Sequence, residues 1–290
     1  MMKIALIFDR TTELTTGVYL ERVIKRAGFV CDHYWTQFSA DIPREYDLYL
    51  RIDHGDYKYD IPDDLHPAVF YVIDTHLRKP YRRIKRQVRH YDVVFCAQYP
   101  GMERLRRQVR GLDVQWAPLG CDPEIHRSLK GEKKYDIGFV GRDAKRFDRC
   151  RHLALLKRLY PDSFIGPAEH TRMGEIYSAS KIGFNSSIVH DVNMRTFEVM
   201  CSGCFLLTNR IRNKGFDMMF EDGKHLVTYK DDSDLLCKID YYLTHEDEWE
   251  RIARAGRELV LERYTYYHTV QRMFNYLAFV FGGRFNELRI

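Results

Sequence analysis

Short apolar runs alternate with helix-patterned stretches along almost the whole chain. "KIALIF" (3–8), "FVCDHYW" (29–35), "DLYLRID" (47–53), "AVFYVID" (68–74), "DVVFCA" (92–97) and "DVQWAPL" (113–119) read as strands. Residues 16–27, 78–89 and 100–109 lie between them and carry helical patterns. Strands that are apolar throughout and separated by helices build parallel sheets from βαβ units.

The polar stretch "GCDPEIHRSLKGEKK" (120–134) interrupts this series and reads as a linker. The alternation then restarts, with strands at 135–141, 163–166, 181–187, 204–209 and 225–229. Helices are expected at 145–159, 171–179, 192–204, 232–244 and 246–262, followed by a long apolar helix at 265–281. The expected fold class is α/β, with two Rossmann-like domains whose parallel sheets face a cleft. The first domain spans 1–125 and the second 126–269. The helix of about 270–290 packs back on the first domain or meets a second copy, which leaves a homo-oligomer open. Ligands in such sheets bind beyond the carboxyl ends of the strands. The loops after residues 8, 53, 74, 141, 166 and 187 are therefore the ones to inspect.

Composition narrows the class. A chain of 290 residues with 45% hydrophobic positions can bury a large core, and no apolar run is long enough to span a bilayer. The seven cysteines are scattered and mostly lie inside apolar runs, as buried, reduced thiols of a cytoplasmic protein would. Cys201 and Cys204 form a C-x-x-C between a helix and a strand, with no second pair to complete a zinc site, so packing is the favoured reading. The net charge of +5 is modest, but "LRKPYRRIKRQVRHYD" (77–92) and "RLRRQVR" (104–110) concentrate arginine. They read as solvated helix faces, or as a surface for an anionic acceptor or a membrane face. Nucleic acid is disfavoured, because few aromatics interleave with the charge.

Familiar motifs are missing. No G-x-G-x-x-G follows the first strand, and there is no Walker loop, G-x-S-x-G elbow or H-E-x-x-H. Other polar residues stand at the strand ends of the second half. Gly141 and Arg142 follow its first strand, with Lys145, Arg146 and Arg149 close behind. A glycine and cations beside a helix start suit a diphosphate, although Arg142 could equally pair with a surface carboxylate. Asp232 and Asp234 form an Asp-x-Asp, read here as helix capping rather than metal binding.

The stretch "VNMRTFEVMCSGC" (192–204) poses a sharper problem. It is apolar around most of its girth, as a buried helix is, yet carries Arg195 and Glu198 one turn apart. Asp191 or Asn193 can cap it, and Ser186 and Ser187 add hydroxyls at the preceding strand end. Either the two charges neutralise each other, or they meet a ligand at the positive end of the helix dipole.

With these residues in view, the run from "YDIGFVG" through "NMRTFEVMCSGCFLLTN" to "RELVLERYTYYHTV" resembles the nucleotide-sugar-binding half of GT-B glycosyltransferases. It looks closest to the group 1 family and its spore-maturation CgeB-like branch. The resemblance covers about residues 92–275 and rests on several motifs in order: the Gly-Arg strand end, N-x-R-x-F-E, the Ser-Gly turn and the terminal Tyr-Thr helix. It implies that Glu198 binds the donor ribose, that Arg142 and Lys145 bind the diphosphate, and that the loop after Gly166 cradles the nucleobase. Many retaining relatives have a second glutamate eight residues before the first. Here that position is His190.

The expected function is transfer of a sugar from a nucleoside-diphosphate sugar to an acceptor, without a metal or other cofactor. Donor-binding candidates are Gly141, Arg142, Lys145, Gly166, Ser187, His190, Asn193, Arg195 and Glu198. An inverting reaction needs a base for the acceptor. Asp9, Asp53, His54, Asp74 and His76 stand at strand ends of the first half, with Asp74 and His76 favoured. The rival reading is a catalytically inactive, glycosyltransferase-like nucleotide-binding or scaffold protein. The expected location is cytoplasmic, including the membrane surface.

Overall fold

The computed structural model describes residues 2–10, 14–142 and 148–288. The chain divides into two compact units. One runs to Pro118 and resumes at Tyr266, and the other is Leu119–Thr265. These crossings precede the expected breaks at 125 and 269, because residues 119–125 and Thr265 are tied within the second unit: Cys121 bridges Thr265, and its N–H donates to Tyr264 O at 3.1 Å.

The first unit contains β1 (Lys3–Ile7), α1 (Thr16–Arg26), β2 (Val30–Tyr34), β3 (Leu48–Ile52), β4 (Ala68–Val72), α2 (Arg78–Gln87), β5 (Val93–Cys96), α3 (Tyr99–Gln108) and β6 (Val114–Trp116). Its six strands are parallel in the order β2-β1-β3-β4-β5-β6. Strands β3, β4 and β5 are buried along their whole length, which is why they read as unbroken apolar runs.

The second unit contains β7 (Tyr135–Val140), α4 (Asp148–Leu159), β8 (Phe164–Gly166), α5 (Met173–Ser178), β9 (Ser180–Asn185), α6 (Met194–Cys201), β10 (Phe205–Asn209), α7 (Lys214–Met219), β11 (Val227–Tyr229), α8 (Asp232–Thr244) and α9 (Glu246–Arg263). Its parallel sheet has the order β11-β10-β9-β7-β8. Helix α6 lies close on β9. A Cβ on Gly183 would stand 2.3 Å from Val199 Cγ1, so only glycine admits this approach.

The last helix, α10 (Tyr266–Phe281), belongs to the first unit. Its apolar face, Val270, Met273, Phe274, Leu277 and Ala278, is fully buried. Tyr266 stacks on Tyr19 of α1 at 4.7 Å, and Phe274 meets Phe29 edge-on at 5.4 Å. Among the described residues no helix is long and apolar enough to cross a membrane.

Each strand order reverses once, between β1 and β3 in the first sheet and between β7 and β9 in the second. Open parallel sheets hold ligands in the crevice at the carboxyl side of such a reversal.

Candidate functional site

At the reversal in the second sheet, β7 ends at Val140 and Gly141 follows it. Gly141 has φ +148°, a backbone region that glycine alone occupies readily, and its N–H donates to Gly166 O at 3.0 Å. A Cβ there would stand 2.4 Å from Arg195 Nη2. The reason is that Arg195 reaches back from the first turn of α6. Its Nε and Nη2 donate to Val140 O at 3.2 and 3.0 Å, and Nη1 donates to Asn185 Oδ1 at 3.3 Å. The guanidinium lies 4.2 Å over the Phe139 ring. Arg195 thus clasps the ends of β7 and β9 together across the reversal.

Glu198 sits one turn deeper, 6% exposed. Among the described residues it makes no ion pair with Arg195. Its Oε1 instead faces His126 Nε2 at 3.7 Å, beyond hydrogen-bond reach. Burial pushes His126 down to about 4, so the ring is neutral at pH 7. Its Nδ1 accepts from the Asp122 N–H at 3.1 Å, which puts the ring proton on Nε2, toward the carboxylate. Burial raises Glu198 to about 7, against the opposing pull of Arg195. Asn193 Oδ1 and Thr196 Oγ1, at the start of the same helix, are buried with no hydrogen-bond partner among the described residues. The start of α6 thus combines a carboxylate near its titration point with polar atoms that the protein does not satisfy.

The loop between β9 and α6 is strained. Val189 and His190 both have positive φ, 52° and 58°. A β-branched residue there is a real outlier, and such strain gathers at functional loops. Asp191 fixes the turn, accepting from Ile188 N at 2.7 Å and Ser187 Oγ at 2.9 Å. Asp191 therefore closes the loop. Asn193 is the N-cap by backbone geometry but makes no side-chain cap bond; its amide donates to Asn185 Oδ1 at 3.3 Å. His190 Nδ1 accepts from the Arg212 N–H at 3.2 Å, and Asn213 Nδ2 donates to His190 O at 3.2 Å.

Ser187 and His190 also line a cavity of about 560 Å³ beyond the ends of β9, β10 and β11. Arg149, Arg151, Arg210, Arg212 and Lys230 line it together with Asp148, Asp231 and Asp232. Burial, and secondarily Arg195, pushes Arg149 down to about 10, and its Nε and Nη2 donate to Ser186 O at 2.9 and 2.6 Å.

The donor candidates therefore fall in two places. Gly141, Gly166, Asn193, Arg195 and Glu198 surround the reversal, while Ser187 and His190 line the cavity. Arg142 is exposed, and Lys145 lies outside the described residues. Asp232 accepts from Arg151 Nη2 at 2.9 Å and lies 3.1 Å from His152 Nε2, while Asp234 accepts from Lys238 Nζ at 2.9 Å. The cap of α8 is Asp231, which accepts from the Asp234 N–H at 2.9 Å. Cys201 and Cys204 are buried free thiols. Sequence reasoning missed His126, which looked like part of a linker. It also missed Asn209, whose Oδ1 accepts from the Ser187 N–H at 2.6 Å.

In the first unit, Asp53 knits the strand-end loops together. Its Oδ2 accepts from Tyr57 OH at 2.7 Å, Ile73 N at 2.9 Å and Asp74 N at 3.1 Å. This leaves Asp53 a structural anchor. Asp74 and His76 follow β4 and are half-buried. At the β1/β3 reversal, Asp9 Oδ2 lies 3.1 Å from His54 Nε2, a pairing that neither residue's sequence context disclosed.

Comparison with known proteins bears on the fold and the family. Among curated protein sequences none matches. In structure the chain is similar to sucrose-phosphate synthase from Thermosynechococcus elongatus, with TM-score 0.67 and 12% identity over 97% of this chain and 99% of that one. It is similar to HepE of Anabaena in complex with UDP and glucose, with TM-score 0.68 and 11% identity over 97% and 100%. It also resembles an alpha-glucosyltransferase in complex with UDP and a DNA 13-mer, with TM-score 0.61 and 13% identity over 99% of each chain. These likenesses give the fold, which is GT-B. In sequence, residues 124–275 match the family described as glycosyl transferase-like. That match spans more than half of the chain, and the chain belongs to this glycosyl transferase-like family.

Proposed function

We propose that the protein transfers a hexosyl group from a nucleoside-diphosphate sugar, UDP-sugars first, to an acceptor hydroxyl. The observation that carries this reading is Glu198: a buried carboxylate, raised to about 7 and unpaired with Arg195, one turn inside the helix that starts at the sheet reversal. A carboxylate so placed can accept hydrogen bonds from two adjacent ribose hydroxyls. The UDP complexes of structurally similar HepE point to the nucleobase to try first.

In this scheme Gly141 lets the diphosphate approach the backbone, and Arg142 and Lys145 neutralise it. Gly166 adjoins the base, and Asn193 and the start of α6 face the phosphates. Arg195 positions the crevice by clasping β7 to β9. Ser187 and His190 adjoin the sugar. The acceptor oxygen bonds to the anomeric carbon as the bond from that carbon to the diphosphate oxygen breaks. The electron pair leaves with the nucleoside diphosphate, and Asp74 or His76 takes the hydroxyl proton. The leaving group is stabilised by fixed cations and dipoles, so no metal is required. The order of the motifs supports assigning the chain to the group 1, CgeB-like branch.

A second reading, nucleotide binding without turnover, draws on His190. The ring that replaces a glutamate is held by the Arg212 N–H. A thermal-shift panel of UDP, GDP, TDP and their sugars, with donor-hydrolysis assays, separates the two. A ligand at about 100 times its Kd adds about 2.7 kcal/mol to stability. Glu198→Ala is expected to weaken UDP binding by about 1–3 kcal/mol. Unchanged affinity in the folded variant would remove the ribose role. UDP binding with no hydrolysis or transfer in any donor would establish the second reading.

A further inference from the structure

Helix α2 carries Arg78, Lys79, Arg82, Arg83, Lys85 and Arg86, and no acidic residue. Among the described residues none of these cations has a carboxylate partner. This is unlike much of the molecule, where Arg44 pairs with Asp64, Arg51 with Asp60 and Arg151 with Asp232. It is also unlike neighbouring α3. There Arg104 packs over the Tyr81 ring at 3.6 Å, and Arg106 donates to Val114 O at 2.7 Å.

The unpaired charge is organised. Tyr81, Ile84 and the following Val88 are buried in the core. Lys79, Arg82, Arg83 and Arg86, spaced i, i+3, i+4 and i+7, form one stripe. That stripe is one wall of a groove of about 510 Å³, with Gly55 and Tyr57 on the other. The walls are tied together: Gln87 Nε2 donates to Tyr57 O at 3.3 Å and Tyr59 O at 3.1 Å, and Tyr57 OH donates to Asp53. Asp74 Oδ2 lies 3.8 Å from where a Cβ on Gly55 would stand, so this carboxylate adjoins the groove.

We propose that this groove binds the acceptor, and that the acceptor is a polyanion: a chain carrying phosphate or sulfate groups over the length of the stripe, about 10 Å at 1.5 Å per residue. The proposal rests on the glycosyl-transfer reading and deepens it by naming the acceptor class. Four cations in a concave wall suit a chain with repeated charge better than a single anion. A bilayer fits less well, because Tyr81 and Ile84 of α2 are buried in the core and only the half-buried Pro80 remains on the groove side, too little apolar surface to enter lipid. Nucleic acid fits less well, because the aromatic lining the groove, Tyr57, is buried and held by Asp53 and so offers bases no free face to stack on.

The test uses the intact protein and three probes: a short linear polyphosphate, orthophosphate, and vesicles rich in an anionic phospholipid. Polyphosphate is expected to bind at least about tenfold tighter than orthophosphate at equal phosphate concentration, with affinity falling as salt rises. Arg82→Gln combined with Arg86→Gln is expected to lose about tenfold or more, and Lys at both positions to restore most of it. Lys157→Gln with Arg158→Gln, exposed on α4, removes the same charge elsewhere and is expected to change affinity by less than about twofold. Equal losses in the two Gln pairs, orthophosphate binding as well as polyphosphate, or binding to vesicles alone would each overturn the proposal. UDP binding is measured on the same wild-type sample. Polyphosphate binding without UDP binding keeps the groove and removes the donor reading; UDP binding without polyphosphate binding does the reverse.

Discussion

Glu198 shows how burial turns one side chain into a pH-dependent element. Its ordinary value is 4.5, and burial raises it to about 7. Between those values the folded state holds a proton that the unfolded chain releases, so folding stability falls as pH rises through that window. The full shift corresponds to roughly 3 kcal/mol. Glu198→Gln, which has no proton to release, is expected to stabilise the protein at pH 8 relative to wild type more than at pH 5, read as thermal midpoints. If the carboxylate form holds the ribose, wild-type UDP affinity is level above about pH 7 and declines below it, as isothermal titration across pH 5.5–8.5 would record. A second residue-scale prediction concerns Val189, which is 56% exposed at φ 52°. Relieving that strain with Val189→Asn is expected to add about 1 kcal/mol in urea denaturation. No gain would mean that the surrounding bonds, rather than the residue, set the conformation.

At the scale of elements, much was legible because parallel strands are buried on both faces and announce themselves as apolar runs. The six residues of α7, Lys214–Met219, were not, since so short a helix shows no periodicity; its start is set by Asn213 Oδ1 accepting from the Gly215 N–H at 2.9 Å. Helix α6 was legible as an element but not in its contacts. Spacing put Arg195 and Glu198 on one face, as a pair would be, whereas Arg195 bonds to Val140, 55 residues away, and Glu198 faces His126 from the apparent linker. Local pattern records periodicity and burial; it does not record which distant strand end a side chain reaches. The close seat of α6 on β9 gives the element-scale prediction. Gly183→Ala forces a methyl group against Val199 and is expected to cost about 1–3 kcal/mol. Pairing it with Val199→Ala is expected to recover part of that loss; equal stability of Gly183→Ala and wild type would show that the helix can shift away.

At the scale of the whole molecule, the two units can be followed separately. The three tryptophans divide between them, Trp35 and Trp116 in the first unit and Trp249 in the second. Leu277 on α10 is fully buried, and Leu277→Ala is expected to cost about 2–5 kcal/mol. That loss belongs to the first unit. In urea titrations the signal of a Trp249→Phe background is therefore expected to move further than that of a Trp35→Phe/Trp116→Phe background. The opposite order would assign α10 energetically to the second unit.

The placement of α10 has a consequence for how the chain is made. A ribosome emits residues in order, and domains tend to fold as they emerge. The second unit is one continuous segment, Leu119–Thr265, and needs nothing made after Thr265. The first unit begins earlier and must wait. Until α10 arrives, Tyr19 and Phe29 lack the rings that cover them. The half of the protein synthesised first thus depends on the last helix to be made, and a chain truncated after Thr265 and released would hold every residue of the second unit beside a first unit with its apolar seam still open.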